Sequence, residues 1–368
     1  MRVLVVNAGS SSLKLRLLNG DTLEQRADLA AGAKGFDTAE LARLVRSWAV
    51  PDAVGHRIVH GGLRFRGPAI VTPAVRAQLE ALTDLAPLHQ PKSLAALDAV
   101  TAVLADVVAV ASFDTAFHTT LPDAAATYAI PREWRDRYAI RRYGFHGLSH
   151  AYSSRRVAEM LDRPIETLRV ITCHLGAGAS LAAVVGGRSI DTTMGFTPLD
   201  GLVMATRSGS IDPGLVLWLE EHAKLAPRDI ATALEERSGM MALAGTGDMR
   251  QIEAAATRRD PDAVLALEVY IHRLVGSIAA MCAAAGGLDA LVFTGGVGEN
   301  SLLVRPITAS RLTFLGVAIK EVASDAVDRD ISTTDATVRT FVIAAREDLQ
   351  IAREARVLLD GSAGKEVL

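Results

Sequence analysis

Residues 3–20 read VLVVNAGSSSLKLRLLNG, two apolar strands flanking a Gly-Ser-Ser-Ser turn that ends in a lysine. Val3 to Val6 deliver Asn7 to the end of the first strand. Gly9 frees the backbone, and Ser10, Ser11, Ser12 and Lys14 add hydroxyls and one positive charge. Hydroxyls and an ammonium beside open backbone N–H groups suit phosphate oxygens, so the stretch reads as a phosphate-cradling hairpin. The plainer reading is a turn whose serines satisfy their own backbone. A second copy weighs against it. Residues 170–187, VITCHLGAGASLAAVVGG, overlay on 3–20 without a gap, with His174 on Asn7, Gly176 on Gly9 and Gly187 on Gly20. Two strand, glycine turn, strand units about one domain length apart imply an internal duplication. The expectation is two similar α/β lobes, each offering a hairpin loop to a shared cleft.

A chain of 368 residues has room for two domains with sizeable cores. Hydrophobic residues make up 49% and charged residues 22%, with no stretch of low hydrophobicity and high charge, so the whole chain is expected to fold. A net charge of -3 argues against a polyanion-binding surface, and nucleic acid is not an expected partner. Cys173 and Cys282 are the only cysteines, which reads as two buried thiols in a reducing compartment. Met1 leads straight into a strand, and the longest apolar helical pattern, 264–285, is interrupted by Glu268, His272 and Arg273. No membrane span is expected, and the protein is expected to be cytoplasmic.

Along the chain, 21–50 is polar and alanine-rich, and AVGHRIVHGG (53–62) is a short strand carrying Arg57 into a glycine pair. Pro91 to Asp106 has helical apolar spacing behind a leading proline, and the buried-strand run VVAVASF follows it to Asp114. Helix then parallel strand is an α/β signal. Ligands in such sheets sit beyond the carboxyl ends of strands, where Asp114, Thr115 and His118 fall. After a charged, irregular stretch at 122–142, YGFHGLSH opens a helix through Leu161. The loop-like stretch 191–213, with Arg207, is too long for a plain connector and reads as functional. Helical patterns cover 214–223, 227–236 and 261–285, the strand 290–293 runs into TGGVGENS, and a strand at 338–344 precedes a helix at 347–359.

Neither G-x-x-x-x-G-K-[ST] nor a strand-borne G-x-G-x-x-G is present, so phosphate has to be held otherwise. Three glycine-rich strand ends supply backbone N–H groups: Gly9, Gly176 with Gly178, and Gly295, Gly296 and Gly298. Arg57 and Arg207 lie in glycine-flanked contexts where a planar guanidinium suits a carboxylate or phosphoryl group, although either one alone is as readily a structural ion pair. His146 and His150, four apart, also suit a zinc pair, but no H-E-x-x-H glutamate accompanies them. Asp114 and Glu347 follow strands, and a hard cation such as Mg²⁺ takes one or two carboxylates plus phosphate oxygens; a helix-terminal acid explains either one equally well.

Taken together, NAGSSSLK, GHRIVHGG, FDTAFH, YGFHGLSH, MGFTPLDGL, TRSG-x-IDPG and FTGGVGENS resemble the acetate kinase family, in the family's order and from end to end. The resemblance implies the acetate and sugar kinase, Hsp70 and actin fold: two duplicated ribonuclease H-like lobes around a nucleotide cleft, assembled as a homodimer. It places the first lobe at 1–116 plus 349–368 and the second at 117–348. ATP and ADP, acetate and acetyl phosphate are the implied substrates, Mg²⁺ the implied cofactor, with Mn²⁺ able to substitute. By the same resemblance Asn7, Ser10, Ser12 and Lys14, with His174, Gly176, Gly178, Gly295 and Gly298, face phosphates. Arg57 and Arg207 bind the acyl carboxylate and the phosphoryl in flight, and His146 stabilises the transition state. Asp114 acts near the metal and the reacting oxygen, Glu347 with Asn7 supports Mg²⁺, and His89 lines the site. Val59, Leu88, Phe145 and Pro198 build a small acyl pocket, and Asp248, Met249 and Arg250 with Gly296, Val297 and Asn300 match the adenosine segments.

The chain departs from the family's usual pattern at Ala177 (usually the asparagine of C-H-L-G-N-G), at Ser210 (usually an acid after TRSG) and at 345–348, Ala-Arg-Glu-Asp in place of T-N-E-E. These changes leave room for another phosphoryl donor such as pyrophosphate. A propionate or other short-chain acyl kinase is the neighbouring alternative, because one methylene is worth only about 1–3 kcal/mol. More distant are a nucleotide-gated binding protein of the same fold and a zinc hydrolase built on His146 and His150.

Overall fold

The computed structural model describes residues 1–9, 12–30, 36–87, 89–320 and 327–363, so Ser10 and Leu88 lie outside the described residues. The chain forms two compact units. The first takes Met1–Thr119, Phe145–Tyr152 and Arg346–Leu368, the second Thr120–Gly144 and Ser153–Ala345.

In the first unit β1 (Arg2–Ala8), β2 (Ser12–Asn19), β3 (Thr22–Ala30), β4 (Ala53–Ile58), β5 (Ala69–Ile70) and β6 (Val108–Phe113) form one sheet in the order β3-β2-β1-β4-β6-β5. β1, β4 and β6 run parallel, and the remaining pairs are antiparallel. The run VLVV is apolar at every position because the sheet is covered on both faces. Val3 and Val5 meet Ile351, Ala352 and Ala355 of the helix Glu347–Ala363, while Leu4 and Val6 share a core with Ala96 and Val100 of the helix Gln90–Val103. Each buried valine, leucine or isoleucine among them contributes about 1.5–3 kcal/mol of burial, and each alanine less.

The second unit repeats the plan. β7 (Arg169–Leu175), β8 (Ala179–Val185), β9 (Arg188–Thr192), β10 (Ala290–Thr294), β11 (Arg329–Asp330) and β12 (Arg339–Val342) lie in the order β11-β12-β10-β7-β8-β9. Read from the other edge this matches the first sheet: an antiparallel meander of three, two parallel strands, then a short antiparallel edge. The duplication expected from the two hairpins is present, with one correction. In the first hairpin Asn7 pairs with Lys14, whereas in the second His174 pairs with Ser180, one position earlier than a gapless overlay requires. The second turn is one residue tighter, closing from Gly176 N to Gly178 O (3.0 Å) where the first closes from Gly9 N to Ser12 O (2.8 Å). A one-residue slip changes which side chains share a face, so Lys14 has a serine, not a leucine, as its counterpart.

Phe145–Tyr152 joins the first unit although the expected boundary gave it to the second. Gly147 N donates to the Asp114 carbonyl (2.9 Å), and Leu148 packs with Val3, Val5 and Ile351, so the first turns of the helix Gly147–Leu161 are tied to the end of β6. Most expected elements are found within a few residues of their expected ends. The polar stretch 21–50 holds β3 and the helix Thr38–Ser47, and TGGVGENS holds the short helix Gly295–Asn300. The helix Pro261–Ala285 is long and apolar enough to cross a membrane by length and composition. Here it buries Ala266, Leu267, Ile271, Leu274 and Ile278 and packs on β7, β8 and β9.

Candidate active site

Because β1, β4 and β6 are parallel, their carboxyl ends emerge together and carry Asn7, Arg57 and Asp114 to one place. Arg57 donates from Nε to Asp114 Oδ1 (2.9 Å) and from Nη2 to Oδ2 (2.6 Å), a bidentate fork, and from Nη1 to Asn7 Oδ1 (3.1 Å). Asn7 Nδ2 in turn donates to Glu347 Oε2 (2.7 Å) at the first turn of the terminal helix. Four of the expected site residues thus form one hydrogen-bonded chain, Asp114, Arg57, Asn7, Glu347. Burial opposes the charge of Arg57, but the carboxylates of Asp114 and Glu347 outweigh it and hold the guanidinium above its ordinary range. Burial pushes the Asp114 carboxyl up, while the Arg57 fork opposes that shift.

Asp114 is 1% exposed and has both oxygens on Arg57, so it fixes the orientation of that guanidinium. Arg57 has five N–H donors. Three are engaged in this chain, which leaves two for an incoming anion. Asn7 turns its oxygen to Arg57 and its amide to Glu347, so it orients both.

Around this chain, His146 stands just before the helix Gly147–Leu161 with φ 56°, a left-handed conformation uncommon for a residue with a Cβ. A Cβ at Gly147 would collide with the Asp114 carbonyl oxygen, so the His146–Gly147 corner fits only because residue 147 is glycine. His118 Nε2 bonds the Phe145 carbonyl (3.0 Å), and the fully buried His150 ring sits edge-on to His118 with centroids 5.7 Å apart. Phe145 packs edge-on against His60 (5.5 Å), and the expected acyl-pocket residues Val59 and Phe145 are both buried. His89 stands at the start of the helix Gln90–Val103. Ser12 and Lys14 occupy the hairpin, Lys14 exposed on β2.

In the second unit Gly176, Asp248, Met249, Arg250, Gly296, Val297 and Asn300 line one cavity of about 560 Å³. Asp248 caps the helix Met249–Thr257 and pairs with the exposed Arg250 (2.7 Å), and Asn300 Nδ2 donates to the Gly296 carbonyl (2.8 Å). Gly295, at φ 77°, lets the chain pass against the Leu175 carbonyl at the end of β7, next to His174. The Gly298 carbonyl accepts from the buried Arg305 (2.8 Å). Ala177, Gly247 and a hydrogen-bonded Glu253–Ser301 pair also line this cavity and were missed as binding residues. Glu253 lies four residues after Met249 on one helix face, a spacing that would have found it. Arg207 donates to the Pro198 carbonyl (3.4 Å), and burial pushes its guanidinium down from the ordinary value, with Glu235 opposing.

The sequence pattern that defines the acetokinase family matches residues 36–353. The chain belongs to the acetokinase family. It is 45% identical to the acetate kinase of Deinococcus radiodurans, over 98% of this chain and 99% of that one. Among solved structures it is similar to Porphyromonas gingivalis acetate kinase (34% identity, TM-score 0.88, 97% of this chain and 99% of that chain). It is equally similar to a propionate kinase from Francisella tularensis (35% identity, TM-score 0.87, 96% and 98%). The two duplicated α/β lobes of this acetokinase are therefore the acetate and sugar kinase fold, and the family is one of phosphotransferases.

Proposed function

We propose that this acetokinase is an acetate kinase. An acetate oxygen attacks the γ-phosphorus of ATP, the bond from that phosphorus to the β-phosphate oxygen breaks in line, and acetyl phosphate and ADP leave; the reverse step runs through the same geometry. The chain Asp114, Arg57, Asn7, Glu347 carries this reading. Phosphoryl transfer through a loose transition state asks for positioned positive charge rather than covalent help. An arginine locked by a carboxylate fork with two donors left over meets that need. The same reading assigns further positive charge to Arg207, His146 and Lys14, and the apolar wall for a short acyl chain to Val59 and Phe145.

We propose Mg²⁺, or Mn²⁺, as cofactor. Mg²⁺ keeps most of its waters and takes one or two carboxylates with phosphate oxygens. Glu347, oriented by Asn7, fits that sparse donor set. Bound there, the ion would offset phosphate charge. ATP is the favoured donor because the intact GDMR and GGVGEN segments line the 560 Å³ cavity, with pyrophosphate the alternative that Ala177 leaves open. Propionate is a second acyl substrate to weigh, supported by the likeness to a propionate kinase.

The test is the hydroxamate assay for acyl phosphate with Mg²⁺, crossing acetate, propionate and butyrate against ATP and pyrophosphate. Product from acetate and ATP that disappears in Arg57→Ala and in Arg207→Ala is the expected result. No acyl phosphate under any pairing would overturn the kinase reading in favour of a nucleotide-gated binding protein. We also propose a homodimer seated on the helix Pro213–Glu221, which buries none of its residues although its sequence is PGLVLWLEE. Leu215, Leu217 and Trp218 together form an exposed apolar surface of the kind that marks an interface.

A further inference from the structure

The second unit holds another cavity, of about 300 Å³, that shares no lining residue with the one described above. Its polar wall comes from Arg142, from Asp191 on β9, from Asp200, Ser208 and Ser210 in the loop that follows β9, and from Arg273 on the helix Pro261–Ala285.

Most of that charge is internally matched. Arg142 Nη1 is surrounded by the carbonyls of Thr192 (3.2 Å), Thr193 (3.0 Å) and Met194 (3.0 Å) and by Asp200 Oδ2 (3.4 Å). Asp200 Oδ1 accepts from Ser210 Oγ (2.6 Å) and from Gly201 N (2.9 Å). Two groups are left over. Among the described residues Asp191 has no hydrogen bond from a side chain, only from its neighbour's amide, Thr192 N to Oδ1 (2.8 Å); burial pushes its carboxyl up, with that bond and the charge of Arg142 opposing. Arg273 makes no hydrogen bond or ion pair among the described residues. One carboxylate and one exposed guanidinium, neither with a side-chain hydrogen bond or ion pair, therefore face a space that, as a sphere, is about 8 Å across, at the small end of ligand sites.

A dianion would meet Asp191 unfavourably, and a metal cation would meet Arg273 unfavourably. A molecule with one charge of each sign satisfies both. We propose that this cavity is an effector site for a free α-amino acid, its ammonium on Asp191 and its carboxylate on Arg273. Ser210 adds a hydroxyl and no charge to the cavity wall, and that hydroxyl is committed to Asp200.

Occupancy would be felt at Arg207. Asp200 and Ser210 close the base of the loop that presents it, through Ser210 Oγ to Asp200 and Ser210 N to the Gly201 carbonyl (3.0 Å), and Ser208 lines the cavity one residue beyond Arg207. A ligand held against these groups stiffens the loop. This kinetic consequence rests on the kinase reading; the binding itself does not.

Isothermal calorimetry on the full chain, without substrate, with each proteinogenic amino acid at millimolar concentration and with succinate and inorganic phosphate as controls, tests the site. At least one amino acid is expected to bind, about tenfold or more weaker in Arg273→Gln and in Asp191→Asn. Both variants should keep their ligand-free acetate turnover, and the bound amino acid should shift KM for acetate about fivefold. Absence of binding by every amino acid, binding unchanged in both variants, or succinate binding to the unaltered chain as tight as any amino acid's would each overturn the proposal. Amino-acid binding without acetate turnover would leave the site standing and remove the kinase reading alone.

Discussion

Arg57 is placed by two residues that lie 50 positions before and 57 positions after it, and its usefulness depends on both. Asp114→Asn keeps the size of the side chain but removes the charge-assisted fork and leaves a nearly buried guanidinium with only the Glu347 carboxylate to offset it. Turnover is expected to fall about 10²-fold with little change in KM for ATP, and urea unfolding to show a loss of about 3 kcal/mol. A loss of stability with turnover intact would mean that Asp114 only anchors the fold. Gly147→Ala is expected to fail differently. The added methyl meets the Asp114 carbonyl oxygen, a backbone atom that cannot swing aside, so His146 and Asp114 shift together. Turnover should drop at least tenfold and the midpoint of thermal unfolding should fall by several degrees, measured on the same preparation. The residue types of this site were legible in the sequence, since Asn7, Arg57, Asp114 and Glu347 each stood at a strand or helix end. Their partnership was not. Asn7 and Glu347 are 340 positions apart, and only the strand order β1-β4-β6 and the packing of the last helix decide that one amide touches that carboxylate.

At the scale of elements, the buried strands announced themselves and the exposed ones did not. β1 and β10 are apolar runs because both faces are covered, and the helix Pro261–Ala285 begins at the capped proline that marks it. β3 was missed because it is nearly all exposed or half-exposed, with only Leu29 buried, so it has no alternation to read. The hairpin pair was read correctly as a repeat and wrongly as a gapless one, because a turn tighter by one residue leaves composition almost unchanged while moving the whole register. The helix Pro213–Glu221 was legible as a helix, but its exposure was not, since an apolar helix reads as core. Leu217 and Trp218 are 57% and 53% exposed. If a second copy covers them, the double substitution Leu217→Glu, Trp218→Lys should turn the dimer into a folded monomer by light scattering, with the helical circular dichroism unchanged. A dimer that persists would move the interface elsewhere.

At the scale of the whole molecule, the duplicated plan was readable from two eighteen-residue stretches because each lobe must repeat its central hairpin to repeat its sheet, and the two strand orders agree. What no pattern in the sequence revealed is how the first lobe buries its histidines. His56 on β4 is 1% exposed, and neither ring nitrogen has a hydrogen-bond partner among the described residues; burial holds it down at about 3 against a weaker opposing pull from Asp98. Burial likewise lowers His60 to about 4, and lowers His118 to about 4 with the Phe145 carbonyl opposing. In the unfolded chain each returns to an ordinary value near 6.5. Between those limits the unfolded state binds protons that the folded state refuses, so stability is fully present above about pH 6.5 and is lost as pH falls toward 4. The slope approaches about 1.4 kcal/mol per pH unit for each histidine. Surface carboxylates held by arginines, such as Asp28 and Asp289, have their values lowered and act only at more acidic pH, so the upper part of the window belongs to the histidines. Urea unfolding from pH 7.5 to 5 is expected to show this decline, and His56→Leu, which leaves a packed apolar side chain and nothing to protonate, should flatten it by about a third. An unchanged slope in that variant would mean that His56 finds a proton acceptor in the folded state and titrates as it does in the unfolded chain.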